Sequence, residues 1–161
     1  MELNIKRMSY DEVKQISKWV YKEPYSIYSM DGSDNCIGEL LNENYFSVSD
    51  KNGYLIGYYC FGAPAQVSAG NQFSVYDFKD ITDIGLGMSP NLCGQGLGLK
   101  FFNSGLGFAS NKLSAKRFRL TVATFNQRAI KVYQQAGFEK VNSFERISEA
   151  DKIDFWVMIL R

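Results

Sequence analysis

Residues 82–98, TDIGLGMSPNLCGQGLG, read as a strand that runs into a proline stop and then a glycine-rich loop, and the chain continues from that loop as a helix. Ile81 to Met88 has strand character, and Ser89 and Pro90 end it because proline cannot donate to a β-ladder. The loop Cys93, Gly94, Gln95, Gly96, Leu97, Gly98 opens a helical pattern in which Leu97, Phe101, Phe108 and Ala109 share one side. Two internal glycines, Gly105 and Gly107, weaken that helix by roughly 1 kcal/mol each. Arg117 to Ala123 reads as the next strand. A strand, a crossover helix and a second strand predict a parallel pair at this point of the sheet.

Working outward, the flanking segments are of a different kind. Ser9, Tyr10, Asp11, Glu12 forms a capping-box pattern, and Val13, Ile16, Trp19 and Val20 follow at helical spacing, so a first helix is expected from Tyr10 to Tyr21. Pro24 ends it, and a turn-rich segment from Asp31 to Asn35 leads to a short apolar run, Ile37 to Leu41, read as a second helix. Tyr45 to Val48, the turn Asp50-Lys51-Asn52-Gly53 and Tyr54 to Phe61 predict an antiparallel hairpin. Beyond Ala123, Asn126 is placed to cap a helix whose stripe is Ala129, Val132, Tyr133 and Ala136 and whose end is Gly137. Phe138 to Ile147 and Ile153 to Leu160 are two further strands. A strand-helix-strand unit inside an otherwise antiparallel order predicts an α/β (α+β) fold, with a mixed, mostly antiparallel six- to seven-stranded sheet and helices on both faces.

Composition limits what such a sheet can do. The 161 residues fit one domain, 1–161, and a chain of this length buries about 70% of its unfolded surface without covalent staples. Eighteen Lys and Arg against seventeen Asp and Glu leave a formal charge of +1, without the cationic excess of a phosphate-backbone binder, so nucleic acid is not expected as a partner. Cys36, Cys60 and Cys93 form neither a CxxC pair nor a disulfide framework, which fits a reducing cytoplasm. Glycines, Pro64 and amides interrupt the uncharged stretch from Tyr54 to Tyr76, so no membrane span is expected. The N-terminal residues carry Glu2, Lys6 and Arg7 and lack the apolar core of a secretion signal. The chain has no histidine at all. That removes imidazole bases, Ser-His-Asp and Cys-His nucleophiles and HExxH zinc sites, and leaves proton transfer to carboxylates, Tyr, Cys, Lys or water.

The loop from Cys93 to Gly98 sits where backbone N–H groups and the positive end of a helix can converge on an anion. It fails the GxGxxG dinucleotide pattern, because the third glycine position is Leu99, and it lacks the GK[ST] tail of a P-loop. A tight strand-to-helix turn that binds nothing is the alternative. Two motifs together resemble the GNAT acetyltransferase superfamily. Gly96 and Gly98 match the small positions of that family's [QR]xxGx[GA] acetyl-CoA loop, with Cys93 where the family has Gln or Arg. Asn126, Ala129, Tyr133, Gly137 and Phe138 match its N-x-x-A-x-x-x-Y-x-x-x-G-F pattern without a gap.

The resemblance implies acetyl-CoA as co-substrate and no metal. It implies pyrophosphate contacts from the backbone of Gly94, Gln95, Gly96 and Gly98, with Leu99 at the start of the helix. A strand bulge at Leu86, Gly87 and Met88 is implied as well, opening the backbone to the thioester and leaving the Leu86 N–H to hold its carbonyl oxygen. Gly87 suits such a bulge, and the glycines at 85 and 87 have no packing role that the sequence reveals. In the family the tyrosine at the Tyr133 position protonates the leaving thiolate, whereas its place on the apolar stripe also fits a core tyrosine. Asn126 fits a cofactor contact or simply the helix cap. For the proton lost by an attacking amine the candidates are Asp83, Asp80 and Asp154, and Asp83 is preferred because it lies on the strand that carries the thioester contacts. Trp19, Tyr21, Tyr25 and Tyr28 fall where the family's acceptor-binding helices lie. The expected function is transfer of acetyl from acetyl-CoA to a primary amine on a small molecule or peptide, by direct attack in a ternary complex. The expected protein is a monomer or homodimer. A non-catalytic acyl-CoA sensor of the same fold is the alternative.

Overall fold

The computed structural model describes residues 2–160. Seven strands form a mixed sheet in the order β1-β2-β3-β4-β5-β7-β6: β1 Leu3–Arg7, β2 Tyr45–Asp50, β3 Leu55–Phe61, β4 Thr82–Met88, β5 Phe118–Ala123, β6 Phe138–Ile147 and β7 Lys152–Leu160. The helices are α1 Tyr10–Ile16, α2 Asp34–Leu40, α3 Gly98–Lys112 and α4 Gln127–Gln135. The chain divides into two compact units that alternate along the sequence.

The first unit comprises Met1–Cys60 and Leu86–Leu97. Here β2 and β3 form the expected antiparallel hairpin, turning at Gly53 with φ +86°, a conformation open to glycine. The additional strand β1 pairs antiparallel with β2 from Leu3↔Asp50 to Arg7↔Phe46. With Leu3 and Ile5 as its only apolar residues it has the short, charged character of a protected edge, and Arg7 is fixed by a bond to the Glu43 carbonyl at 2.6 Å and by the Phe46 ring. Helix α1 starts at the Ser9 capping box: Ser9 Oγ accepts from the Glu12 N–H, and Glu12 accepts from the Ser9 N–H at 2.9 Å. It ends at Ile16 rather than Tyr21. The Ser17 hydroxyl donates to the Lys14 carbonyl, the next amides bond three residues back, and the Trp19 carbonyl is taken by Met30 N–H at 2.8 Å. Val13 and Ile16 are its fully buried anchors.

The second unit comprises Phe61–Gly85 and Gly98–Arg161. Strand β4 runs parallel to β5 at Thr82↔Phe118 and Asp83↔Arg119, which is the predicted crossover pair, and β5–β7 and β6–β7 are antiparallel. Its core joins Val75, Tyr76, Ala123, Phe144, Ile153, Phe155 and Val157, with Phe144 stacked on Phe155 at 5.4 Å. Phe101, Gly105 and Ala109, four residues apart, form the buried line of α3, so Gly105 lies on its packed face. Asn126 caps α4 by accepting from the Ala129 N–H at 3.2 Å, and Gly137, φ +101°, ends it.

Candidate active site

In the first unit, the end of β4 meets side chains that contiguous sequence does not bring together. The hydroxyl end of the Tyr58 ring from β3 packs close against Gly87: a Cβ there would lie 2.3 Å from Cε1, 2.5 Å from Cζ and 2.7 Å from the hydroxyl oxygen. Glycine at 87 is therefore required by close packing, which corrects the expectation that it has no packing role. The Tyr21 hydroxyl donates to the Met88 carbonyl at 2.7 Å, and Ser89 N–H donates to the Ile56 carbonyl at 2.8 Å, fixing the strand end. Burial, with the Cys93 thiol beside it, pushes the Tyr21 phenol above its ordinary value, so it remains a donor. Leu86, Gly87 and Met88 are half-buried.

After this strand end, the loop is closed by Gln95 Nε2 donating to the Asn91 carbonyl at 2.7 Å. Gly94 and Gly96 both take positive φ, +76° and +78°, and both are exposed together with Gln95. A Cβ on Gly96 would meet nothing within 4 Å, so it is the backbone conformation that calls for glycine there. The Cys93 thiol points back to the carbonyls of Met88 and Ser89, at 3.8 and 3.6 Å.

In the second unit, Gly98 and Leu99 begin α3. A Cβ at Gly98 would approach Val132 of α4 to 3.1 Å, so this glycine lets the two helices close on each other. Tyr133, half-buried on α4, lies with its ring 4.8 Å from that of Phe102. Asn126 performs its capping role.

Asp83 is 3% exposed and bound on both oxygens: Arg119 Nε donates to Oδ1 at 2.7 Å, Arg119 Nη2 to Oδ2 at 2.7 Å, and Gln66 Nε2 to Oδ2 at 2.9 Å. The same guanidinium donates to the carbonyls of Val75 and Phe78 and lies over the Tyr76 ring at 5.0 Å, while the Tyr76 hydroxyl meets Thr121 at 2.6 Å and the Val67 N–H. This is a bidentate buried ion pair that ties residues 62–80 to β4 and β5. Both oxygens of Asp83, the carboxylate expected to act as base, are thus occupied by Arg119 and Gln66. Asp80 and Asp154 are exposed. Sequence reasoning missed Arg119 as the partner. The signal was a lone charge between Phe118 and Leu120 in an apolar strand, a pattern that demands a buried counter-charge.

Of the aromatic residues singled out near the N-terminus, Trp19 lies 6.3 Å from the Tyr58 ring and Tyr21 reaches β4. Among the described residues, no group of three or more His, Cys, Asp or Glu is arranged to hold a metal ion, and no helix is long and apolar enough to cross a membrane.

The family model described as the acetyltransferase (GNAT) family matches residues 10–138. No curated protein matches the chain in sequence. Similar solved structures include an acetyltransferase (GNAT family) from Bacillus anthracis, at 14% identity and TM-score 0.74, covering 99% of this chain and 95% of that one. A chimera of the spermidine N-acetyltransferase SpeG from Vibrio cholerae and hSSAT is similar at 18% identity and TM-score 0.71, again covering 99% and 95%. At these identities the likeness is one of fold.

Proposed function

The chain belongs to the GNAT acetyltransferase family, and from that premise we propose that it transfers acetyl from acetyl-CoA to a primary amine by direct attack. The observation that carries this reading is the match of residues 10–138 to the family, with Tyr133 and the glycine loop inside it. The two positive-φ glycines of that loop, exposed and free of side chains, support its assignment to the pyrophosphate through the N–H groups of Gly94, Gln95, Gly96 and Gly98.

In this reading the neutral amine nitrogen attacks the thioester carbonyl carbon, and the carbonyl oxygen takes up negative charge opposite the Leu86 N–H. Collapse of the tetrahedral intermediate breaks the C–S bond, Tyr133 gives its phenolic proton to the departing thiolate, and the proton lost by the nitrogen goes to water. Tyr133 then regains a proton from solvent. With Asp83 engaged by Arg119, no carboxylate is assigned as base. Holding both reactants in one complex removes the need for a covalent enzyme intermediate.

The loop assignment is tested by calorimetry. Acetyl-CoA and CoA should bind with similar affinity, because the pyrophosphate and pantetheine supply most contacts. Gly96→Val, which forces a branched side chain onto a positive-φ backbone in the loop, should weaken both by more than tenfold. Wild-type affinity in a folded Gly96→Val protein would remove the loop from the site.

A further inference from the structure

Several hydrogen-bonding groups at the end of β4 in the first unit are committed within the protein. The Tyr21 hydroxyl donates to the Met88 carbonyl, the Ser89 N–H to the Ile56 carbonyl, and the Cys93 thiol turns to the carbonyls of Met88 and Ser89. The Tyr58 hydroxyl is not committed. Among the described residues it has no hydrogen-bond partner, and no buried side-chain oxygen lacks one, so this half-buried side chain leaves its oxygen open to solvent. The ring is nevertheless held, 6.3 Å from the ring of Trp19 and 6.0 Å from that of Tyr45, with its hydroxyl end against Gly87. Burial of the ring first, and then Cys60, Tyr21, Cys36 and Glu39 around it, hold the phenol well above its ordinary value, so it keeps its proton.

A donor fixed by packing yet left without a partner calls for a partner from outside the protein. Gly87 directly follows Leu86, whose N–H is assigned above to the thioester carbonyl oxygen. Side chains alternate along a strand, so the Tyr58 hydroxyl stands on the face of β4 to which the Leu86 side chain does not point. Two atoms gain charge when an amine attacks a thioester: the nitrogen becomes positive and the carbonyl oxygen negative. A phenol that keeps its proton is a donor, and it matches the oxygen. We propose that the Tyr58 hydroxyl donates to the thioester carbonyl oxygen as a second donor beside the Leu86 N–H, which makes Tyr58 a further catalytic residue. This rests on the reading of the chain as an acetyl-CoA-dependent transferase. The phenol keeps its proton throughout, so the proton balance of the transfer is unchanged. Packing by Trp19 and Tyr45 fixes the donor before the substrate arrives, and such preorganisation is what gives an oxyanion donor its effect.

The test uses Tyr58→Phe, which keeps the ring and its packing. Because the lost hydroxyl has no partner in the protein, the melting temperature should stay close to that of the wild type. With acetyl-CoA isotope-labelled at the thioester carbonyl carbon, difference infrared spectroscopy of the bound complex should show the carbonyl stretch at lower frequency in the wild type than in Tyr58→Phe, since a donated hydrogen bond weakens the C=O bond. With an amine that the wild type acetylates, kcat should fall about 10²-fold or more in Tyr58→Phe, while acetyl-CoA affinity by calorimetry stays within about twofold. An unchanged carbonyl band in a variant that binds acetyl-CoA would overturn the proposal. So would wild-type turnover under conditions where chemistry limits the rate. If the wild type binds acetyl-CoA and acetylates no amine, the transferase reading fails on its own, while the infrared comparison still decides whether Tyr58 holds the carbonyl. No binding of acetyl-CoA by the wild type would remove both.

Discussion

Two residues carry opposite expectations when their hydrogen-bonding groups are removed. Asp83→Asn leaves Arg119 buried beside a neutral amide, and removing one partner of a buried pair typically costs about 3–5 kcal/mol. The expected outcome is a large fall in the urea midpoint. Any activity defect in the folded fraction should be of one size between pH 6.5 and 9.5, whereas a defect that shrinks as the pH rises would restore Asp83 as the base. Tyr133→Phe should leave stability and acetyl-CoA affinity close to wild type and lower kcat by about 10²-fold or more, since the lost proton acts only on the leaving thiolate. Steady-state kinetics under chemistry-limited conditions separates the two. Turnover within about twofold of wild type would transfer the acid role to water.

Among the elements, α1 is short enough for its cap to matter. Ser9→Ala should lower stability by about 1 kcal/mol, read from denaturant unfolding. Burial pushes Glu12 up, but bonds from the Ser9 N–H and the Ser47 hydroxyl, with Lys6 nearby, outweigh it and hold the carboxyl below its ordinary value of 4.5. A depressed folded value means that the contribution is complete above the unfolded carboxylate range and is lost as the pH falls through the folded one. Glu12→Gln should therefore destabilise at pH 7 and progressively less below about pH 4. Equal destabilisation at pH 7 and pH 3 would show that packing, not charge, is at work. This cap was legible because its four residues are contiguous, and so were the hairpin and the Asn126 cap. Strand β1 was not, because two apolar residues make no pattern and only pairing with β2 gives it a role. The length of α1 was not legible either, since its apolar spacing runs on to Val20 while tertiary bonds from Met30 stop it.

At the scale of the whole molecule, what the sequence carried was the order of elements and the two motifs, both local in the chain. The network of Asp83, Arg119, Gln66 and Tyr76 and the seat of Gly87 against Tyr58 join residues separated by up to tens of positions, so no spacing rule exposes them. The most direct measurement is release of free CoA thiol when the protein is mixed with acetyl-CoA and each member of a broad panel of primary amines, followed alongside the mass of the amine. Thiol release should require both substrates and match, mole for mole, an amine heavier by one acetyl group. A folded protein that binds acetyl-CoA yet releases no thiol with any primary amine of a broad panel would contradict it.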